Sequence, residues 1–142
     1  MVGYLDSSVL LRHILLGDTA IRHTLSCGCI VSSEILEIEC RRVLHRYRMD
    51  GDLDDNGFIA ARSRLDDILS GISLLVLSSA VKKRAMESFP VSVKTLDALH
   101  IASALVFLEA RPQEKLLVFT FDTVMNRCVL ALGFSAPFAR EM

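Results

Sequence analysis

The chain lacks an excess of either charge: 16 Lys and Arg stand against 17 Asp and Glu in 142 residues, a formal net charge of −1. So even a balance offers no global field to draw in nucleic acid, and any phosphate binding must rest on local clusters or on a metal. Basic clusters exist, at Arg41, Arg42, Arg46 and Arg48 and at Lys82, Lys83 and Arg84, although runs of this kind on helices are commonly solvated faces. Paired cysteines are lacking too. Cys27, Cys29, Cys40 and Cys128 have no C-x-x-C spacing of a structural zinc site, and reduced core thiols in a cytoplasmic protein are expected. No uninterrupted apolar run approaches the roughly 20 residues of a membrane span. Asp6 and Arg12 interrupt the apolar N-terminus, which makes it a poor signal peptide. Without repeats, low-complexity tracts or linkers, the chain is expected to form a single domain over residues 1–142.

What the chain has in plenty is apolar side chains, 51% of the total, with a mean hydropathy of +0.41. That excess predicts apolar surface covered by a partner or by a second copy.

Strand and helix signals alternate. Val2 to Leu5 is a short apolar run stopped by Asp6-Ser7-Ser8, after which Val9, Leu10, Leu11, Ile14 and Leu15 recur at helical spacing. The pattern predicts strand, tight turn and helix, with Asp6 at the carboxyl end of the strand, where it either caps the helix itself or points into the crevice while Ser7 or Ser8 caps. Asp18 opens a short helix ending near Cys27-Gly28, and Cys29 to Val31 reads as a strand. Ser32-Ser33-Glu34 is a helix-start signal for a segment from about Glu34 to Arg48. A helix over Asp54 to Leu69, a strand over Ile72 to Leu77 and a helix from Val81 to about Ser88 follow. Thr95 is the expected cap of a nearly all-apolar helix from Leu96 to about Ala110. Leu116 to Phe119 is a further strand, Thr123 to Leu132 a last helix, and the tail around Phe134 to Pro137 offers an edge strand. The alternation predicts a three-layer α/β domain with a mainly parallel sheet.

Four acids stand where such a fold places its ligands. Asp6 and Asp122 each follow an apolar strand and precede a helix, at the carboxyl edge of the sheet. Asp97 lies in the first turn of the apolar helix, where the dipole favours an ionised carboxylate whether or not it binds anything. Glu39 falls within the helical arc of Ile35, Leu36, Cys40, Val43 and Tyr47, a flank where a carboxylate needs a partner; Arg42 or Arg46, further along the same helix, would serve. Glu34 and Glu37 point away. His100, on the apolar helix, reads as a structural or supporting residue, and His13, His23 and His45 have no supporting context. Four carboxylates meeting at one edge would raise one another's pKa unless a hard cation such as Mg²⁺ or Mn²⁺ compensated them. Such a site suits water activation and phosphodiester hydrolysis.

Tyr4-Leu5-Asp6-Ser7-Ser8, Ser33 through Glu39 to Arg42, Lys94-Thr95-Leu96-Asp97-Ala98-Leu99-His100-Ile101-Ala102 and Phe119-Thr120-Phe121-Asp122 resemble, in order and spacing, the successive motifs of PIN-domain ribonucleases, most closely VapC-type toxins of toxin–antitoxin modules. The resemblance spans Tyr4 to Gly133-Phe134 and implies a three-layer α/β/α PIN-like domain. It further implies Asp6, Glu39, Asp97 and Asp122 as a catalytic, metal-holding set, with Ser7 and Thr120 supporting it by hydrogen bonds. Mg²⁺ or Mn²⁺, an RNA substrate, a homodimer and a small antitoxin protein follow from it as expectations. Some relatives place a further acid after the last aspartate, where this chain has Thr123 and Asn126; one well-held ion is therefore expected, with any second dependent on substrate phosphate.

Rival classes fit less well. A receiver-type signalling domain needs a phosphoacceptor Asp after a middle strand and a late Lys, and a haloacid-dehalogenase-type phosphatase needs an acid where Ser8 stands. A catalytically inactive PIN-like module that binds nucleic acid or protein is the alternative that keeps the fold.

Overall fold

Every strand of the central sheet is parallel to its neighbours, and the turns that leave two adjacent strands carry Asp6 and Asp122. In the computed structural model, residues 1–139 are described; residues 140–142, the end of the expected domain, lie outside them. The elements are β1 (Val2–Leu5), α1 (Ser7–Leu16), α2 (Ile21–Leu25), β2 (Cys29–Ser33), α3 (Ile35–Met49), α4 (Asp55–Ser70), β3 (Ser73–Leu75), α5 (Ser79–Ala85), α6 (Thr95–Ala110), β4 (Leu116–Phe119) and α7 (Thr123–Ala131). The strand order is β3-β2-β1-β4, with Val2 opposite Cys29 on one side and Leu116 on the other. The chain leaves β1 toward β2 and returns on the far side as β4, so the crevice between the ends of β1 and β4 is the topological switch point, the usual ligand position in an open α/β sheet.

Alternation along the strands feeds two cores. Val2, Tyr4, Val31, Leu116 and Val118 pack against Ile101, Ala104 and Phe107 of α6 and Met125 and Val129 of α7. On the other face Leu5, Ile30 and Phe119 meet Leu10 and Ile14 of α1, Leu36 and Leu44 of α3 and Leu65 of α4. The period-2 alternation that sends Leu5 one way sends Tyr4 the other, and Asp6 falls on the side of Tyr4. The result is the expected α/β/α layering.

Several local boundaries differ from the sequence reading. Ser32 and Ser33 extend β2 and do not start α3: they pair with Leu74 and Leu75 of β3 and are fully buried. Ser33 Oγ still accepts from Ile35 N–H at 3.2 Å. β3 is trimmed to Ser73–Leu75 because Ile72 and Val76 have no strand partner, and α5 covers Ser79–Ala85, capped by Ser78. On α3 the buried stripe is Ile35, Leu36, Cys40 and Leu44, with Val43 and Tyr47 only partly covered. The tail forms a single parallel bridge, Leu117 with Ser135, closed by Val118 N–H to Ser135 O at 2.9 Å. All four cysteines are free; Cys40 and Cys128 are buried, but Cys29 is exposed and Cys27 partly so, which corrects the expectation of four core thiols.

Among the described residues no helix is long and apolar enough to cross a membrane. Part of the apolar excess lies on the surface, where Leu16, Met49, Val76 and Met86 are exposed.

Candidate functional site

Asp6 caps α1 itself. Of the two arrangements open at this turn, the cap falls to Asp6 and not to Ser7 or Ser8: Asp6 Oδ2 takes the Ser8 N–H at 3.4 Å, the Ser8 hydroxyl at 2.7 Å and the Thr120 hydroxyl at 2.7 Å. Ser8 Oγ in turn accepts from Phe121 N–H at 3.0 Å, and Thr120 Oγ1 from Asp122 N–H at 3.0 Å. Two hydroxyls thus lace the end of β1 to the end of β4 through one carboxylate oxygen. Asp6 is 4% exposed, and a carboxylate so buried requires these donors. Its Oδ1 has no hydrogen bond among the described residues; the ring nitrogen Nε2 of His100 is 3.8 Å away.

Asp122 occupies the corresponding turn after β4. It caps α7, with Oδ1 accepting from Met125 N–H at 2.8 Å, and its side chain stands at the exposed rim. Asn126, one turn later, donates from Nδ2 to Thr120 O at 2.9 Å and braces the same turn. On α6 the cap position belongs to Lys94, which makes no side-chain capping bond, and Thr95 is the first helical residue. Asp97 still falls in the first turn, half-buried and with no hydrogen bond to its carboxylate among the described residues.

Glu39 projects from α3 toward α6. Its partner is not Arg42 or Arg46: Oε1 is 2.6 Å from His100 Nε2, and Oε2 accepts a long bond of 3.4 Å from Ser7 Oγ. The arginine that does pair locally is Arg41, with Glu37 and Asp66 on the outer side. His100 is fully buried and its Nδ1 lies 2.7 Å from the Tyr4 hydroxyl. Burial opposes a charge on the His100 ring, but the bond to Glu39 and the charges of Asp6, Glu39 and Asp97 outweigh it and raise its pKa above the ordinary value.

The acids feel one another. The Asp97 carboxyl is pushed up to about 6, first by burial and then by the charges of Asp122 and Asp6, with Glu39 adding to them and His100 opposing. Among the described residues no three His, Cys, Asp or Glu side chains are gathered tightly enough, as they stand, to enclose a metal ion. The donor set nonetheless fits a hard divalent cation: the open oxygens are carboxylate oxygens, on Asp6 and Asp97, and the repulsion that raises Asp97 is what a cation would relieve. A wide concavity of about 720 Å³ between α5 and α6, lined by Met86, Phe89, Thr95 and Leu99 among others, contains none of the four acids.

Ser8 and Tyr4 are site neighbours that the sequence reading passed over. The signal for Tyr4 was available, since it shares its strand face with Asp6 two residues on; for Ser8 it was hidden in an Asp-Ser-Ser run where any member can cap.

Fold and acids together define a three-layer α/β domain with an acidic site at the carboxyl edge of a parallel sheet. The family model of the PIN domain matches residues 3–128, and the chain belongs to the PIN domain family. It is also similar, at 13% identity and a TM-score of 0.66 over 96% of this chain and 97% of the other, to a chain in the crystal structure of VapBC2 from Rickettsia felis bound to a DNA fragment from their promoter. No curated protein matches the chain by sequence.

Proposed function

We propose that this protein is a divalent-metal-dependent ribonuclease, the cytoplasmic toxin of a type II toxin–antitoxin pair, with Asp6, Glu39, Asp97 and Asp122 as its catalytic acids. The observation that carries the reading is that carboxylates from the β1–α1 turn, α3, α6 and the β4–α7 turn lie close enough to act on one another: after burial, the charges of Asp122, Asp6 and Glu39 push the Asp97 carboxyl up. Membership of the PIN family supports nuclease chemistry. The likeness to a VapBC2 chain supports a small antitoxin partner, and the exposed Leu16, Met49, Val76 and Met86 are surface that an antitoxin or a second copy in a homodimer would cover.

Asp6 and Asp97 offer the open carboxylate oxygens and would hold Mg²⁺ or Mn²⁺, with Asp122 at the rim and Glu39 behind. When bound, the cation supplies charge neutralisation for a phosphate and a water of lowered pKa. The protein's own groups do the rest. Thr120 and Ser8 hold Asp6 in one rotamer, the first turn of α6 keeps Asp97 facing the crevice, and Glu39 Oε2 is placed to orient a water.

Purified protein freed of any antitoxin is expected to cleave structured RNA in Mg²⁺ or Mn²⁺, to stop in EDTA, and to lose activity in Asp97→Asn while its circular dichroism is unchanged. Cleavage that persists in EDTA or in Asp97→Asn would refute the metal mechanism.

A further inference from the structure

Behind the acids runs a buried chain of polar contacts that begins in the sheet and ends on Glu39. Tyr4, on β1, is fully buried. Its oxygen accepts the Ser33 N–H from β2 at 3.1 Å and lies 2.7 Å from His100 Nδ1; His100 Nε2 lies 2.6 Å from Glu39 Oε1. The Tyr4 and His100 rings meet edge to face at 87°, 5.7 Å between centroids. Proton positions follow from the shortest contacts. A tyrosine hydroxyl remains protonated at neutral pH, with a usual pKa of about 10. One lone pair of the Tyr4 oxygen is filled by Ser33, and its closest side-chain partner is His100 Nδ1 at 2.7 Å. The hydroxyls of Ser32 and Ser103 also stand beside the Tyr4 oxygen, but their own protons go to Leu5 O at 2.6 Å and Leu99 O at 2.8 Å. With Nδ1 accepting, the neutral imidazole carries its hydrogen on Nε2 and donates it to Glu39.

Packing alone does not call for this arrangement. A Phe at position 4 would fill the same volume among Val31, Ile101 and Val118 without a buried hydroxyl in need of partners. What the hydroxyl adds is a fixed ring: with both nitrogens bonded, His100 has one orientation, and the side chain of Glu39, 18% exposed, is tied by Oε1 while Oε2 keeps only the long contact to Ser7.

We propose that Tyr4 is a positioning residue of the site: by donating to His100 Nδ1 it locks the imidazole so that Nε2–H holds Glu39 in one orientation, with Oε1 engaged and Oε2 left for substrate chemistry. The assignment of a use for Oε2 rests on the ribonuclease reading; the Tyr4–His100–Glu39 geometry does not.

The test combines ring NMR with kinetics. In histidine-¹⁵N-labelled wild-type protein, in buffer alkaline enough for neutral imidazole, His100 should show hydrogen on Nε2, a hydrogen-bonded acceptor at Nδ1, and a downfield Nε2 proton in slow exchange. Tyr4→Phe should leave the far-ultraviolet circular dichroism unchanged, speed exchange of that proton at least about tenfold, and lower kcat about 10- to 100-fold with KM for RNA unchanged. In a Glu39→Gln background Tyr4→Phe should cost no further kcat. Hydrogen on Nδ1 in the wild type overturns the proposal without any variant, even if Tyr4→Phe does not fold. Unaltered proton exchange in Tyr4→Phe overturns it as well, as does unaltered kcat in a wild type that cleaves RNA. If the wild type cleaves no RNA, the ribonuclease reading fails, and the NMR result alone decides the role of Tyr4.

Discussion

Asp97→Asn should stabilise the metal-free protein at pH 7.5 even as it removes the proposed activity. The carboxyl titrates at about 6 in the folded chain against an ordinary value of 3.8. The native state therefore binds this proton more tightly than the unfolded chain. Stability contributed by Asp97 is fully present below about pH 4, falls as pH rises through the window up to about 6, and is absent above it. A shift of about two units corresponds to roughly 3 kcal/mol, which solvent screening at this half-buried side chain reduces to roughly 1–1.5 kcal/mol. The neutral Asn removes the cost of burying a charge and, after it, the repulsion from Asp122, Asp6 and Glu39, and gives up about 0.5 kcal/mol of favourable interaction with the start of α6. The net gain of about 0.5–1 kcal/mol, set against an unfolding entropy of about 0.3 kcal/mol/K for a chain of this length, raises Tm by ~2–3 °C. Thermal melts in EDTA should show that difference at pH 7.5 and lose it at pH 4.5, while Mg²⁺ should raise Tm of the wild type and not of the variant. An Asn variant that melts below the wild type in EDTA at pH 7.5 would refute the claim that these carboxylates are coupled.

Thr120→Val keeps the shape of the β4 terminus but removes the donor to Asp6 and the acceptor for Asp122 N–H. Urea denaturation should show a loss of about 1–3 kcal/mol, and a change under 0.3 kcal/mol (roughly the resolution of the method) would mean that the hydroxyl does not brace Asp6. Leu65→Ala, at a fully buried position between α4 and the α1–α3 layer, should cost about 2–5 kcal/mol in the same experiment, with Mg²⁺ binding to the folded variant unchanged; a loss below 1 kcal/mol would place α4 outside the cooperative core.

Much of this architecture is written in local pattern. The apolar run at Val2–Leu5 and its counterpart at Leu116–Phe119, each closed by an acid and a helix start, mark two adjacent strands, because side-chain period and turn chemistry act within a few residues. The same is true of α3, α4, α6 and α7, whose spans differ from the sequence reading by a residue or two. Errors fall where a distant partner overrides a local signal. Ser32-Ser33 has the composition of a helix cap, yet pairing with β3, some forty residues away, draws both serines into the sheet. Glu39 is legible as a carboxylate on a buried flank, since helical geometry sets its direction. Its partner is not: two arginines lie one and two turns away in sequence, but His100, 61 residues on, occupies the space it faces.

The acids at Asp6, Glu39, Asp97 and Asp122, and the strand-turn-helix frames that carry them, were determined by the sequence itself, through interactions no longer than a helical turn. That these frames share one edge was decided only by the tertiary structure. The order β3-β2-β1-β4 brings the ends of β1 and β4 side by side, and the packing of α3 and α6 over that end turns separate carboxylates into one coupled set. Tyr4 shows the division most clearly. Strand alternation puts it on the face of Asp6, but nothing in its neighbourhood along the chain reveals that its hydroxyl meets His100, because hydrogen bonds between elements depend on which surfaces the hydrophobic cores press together.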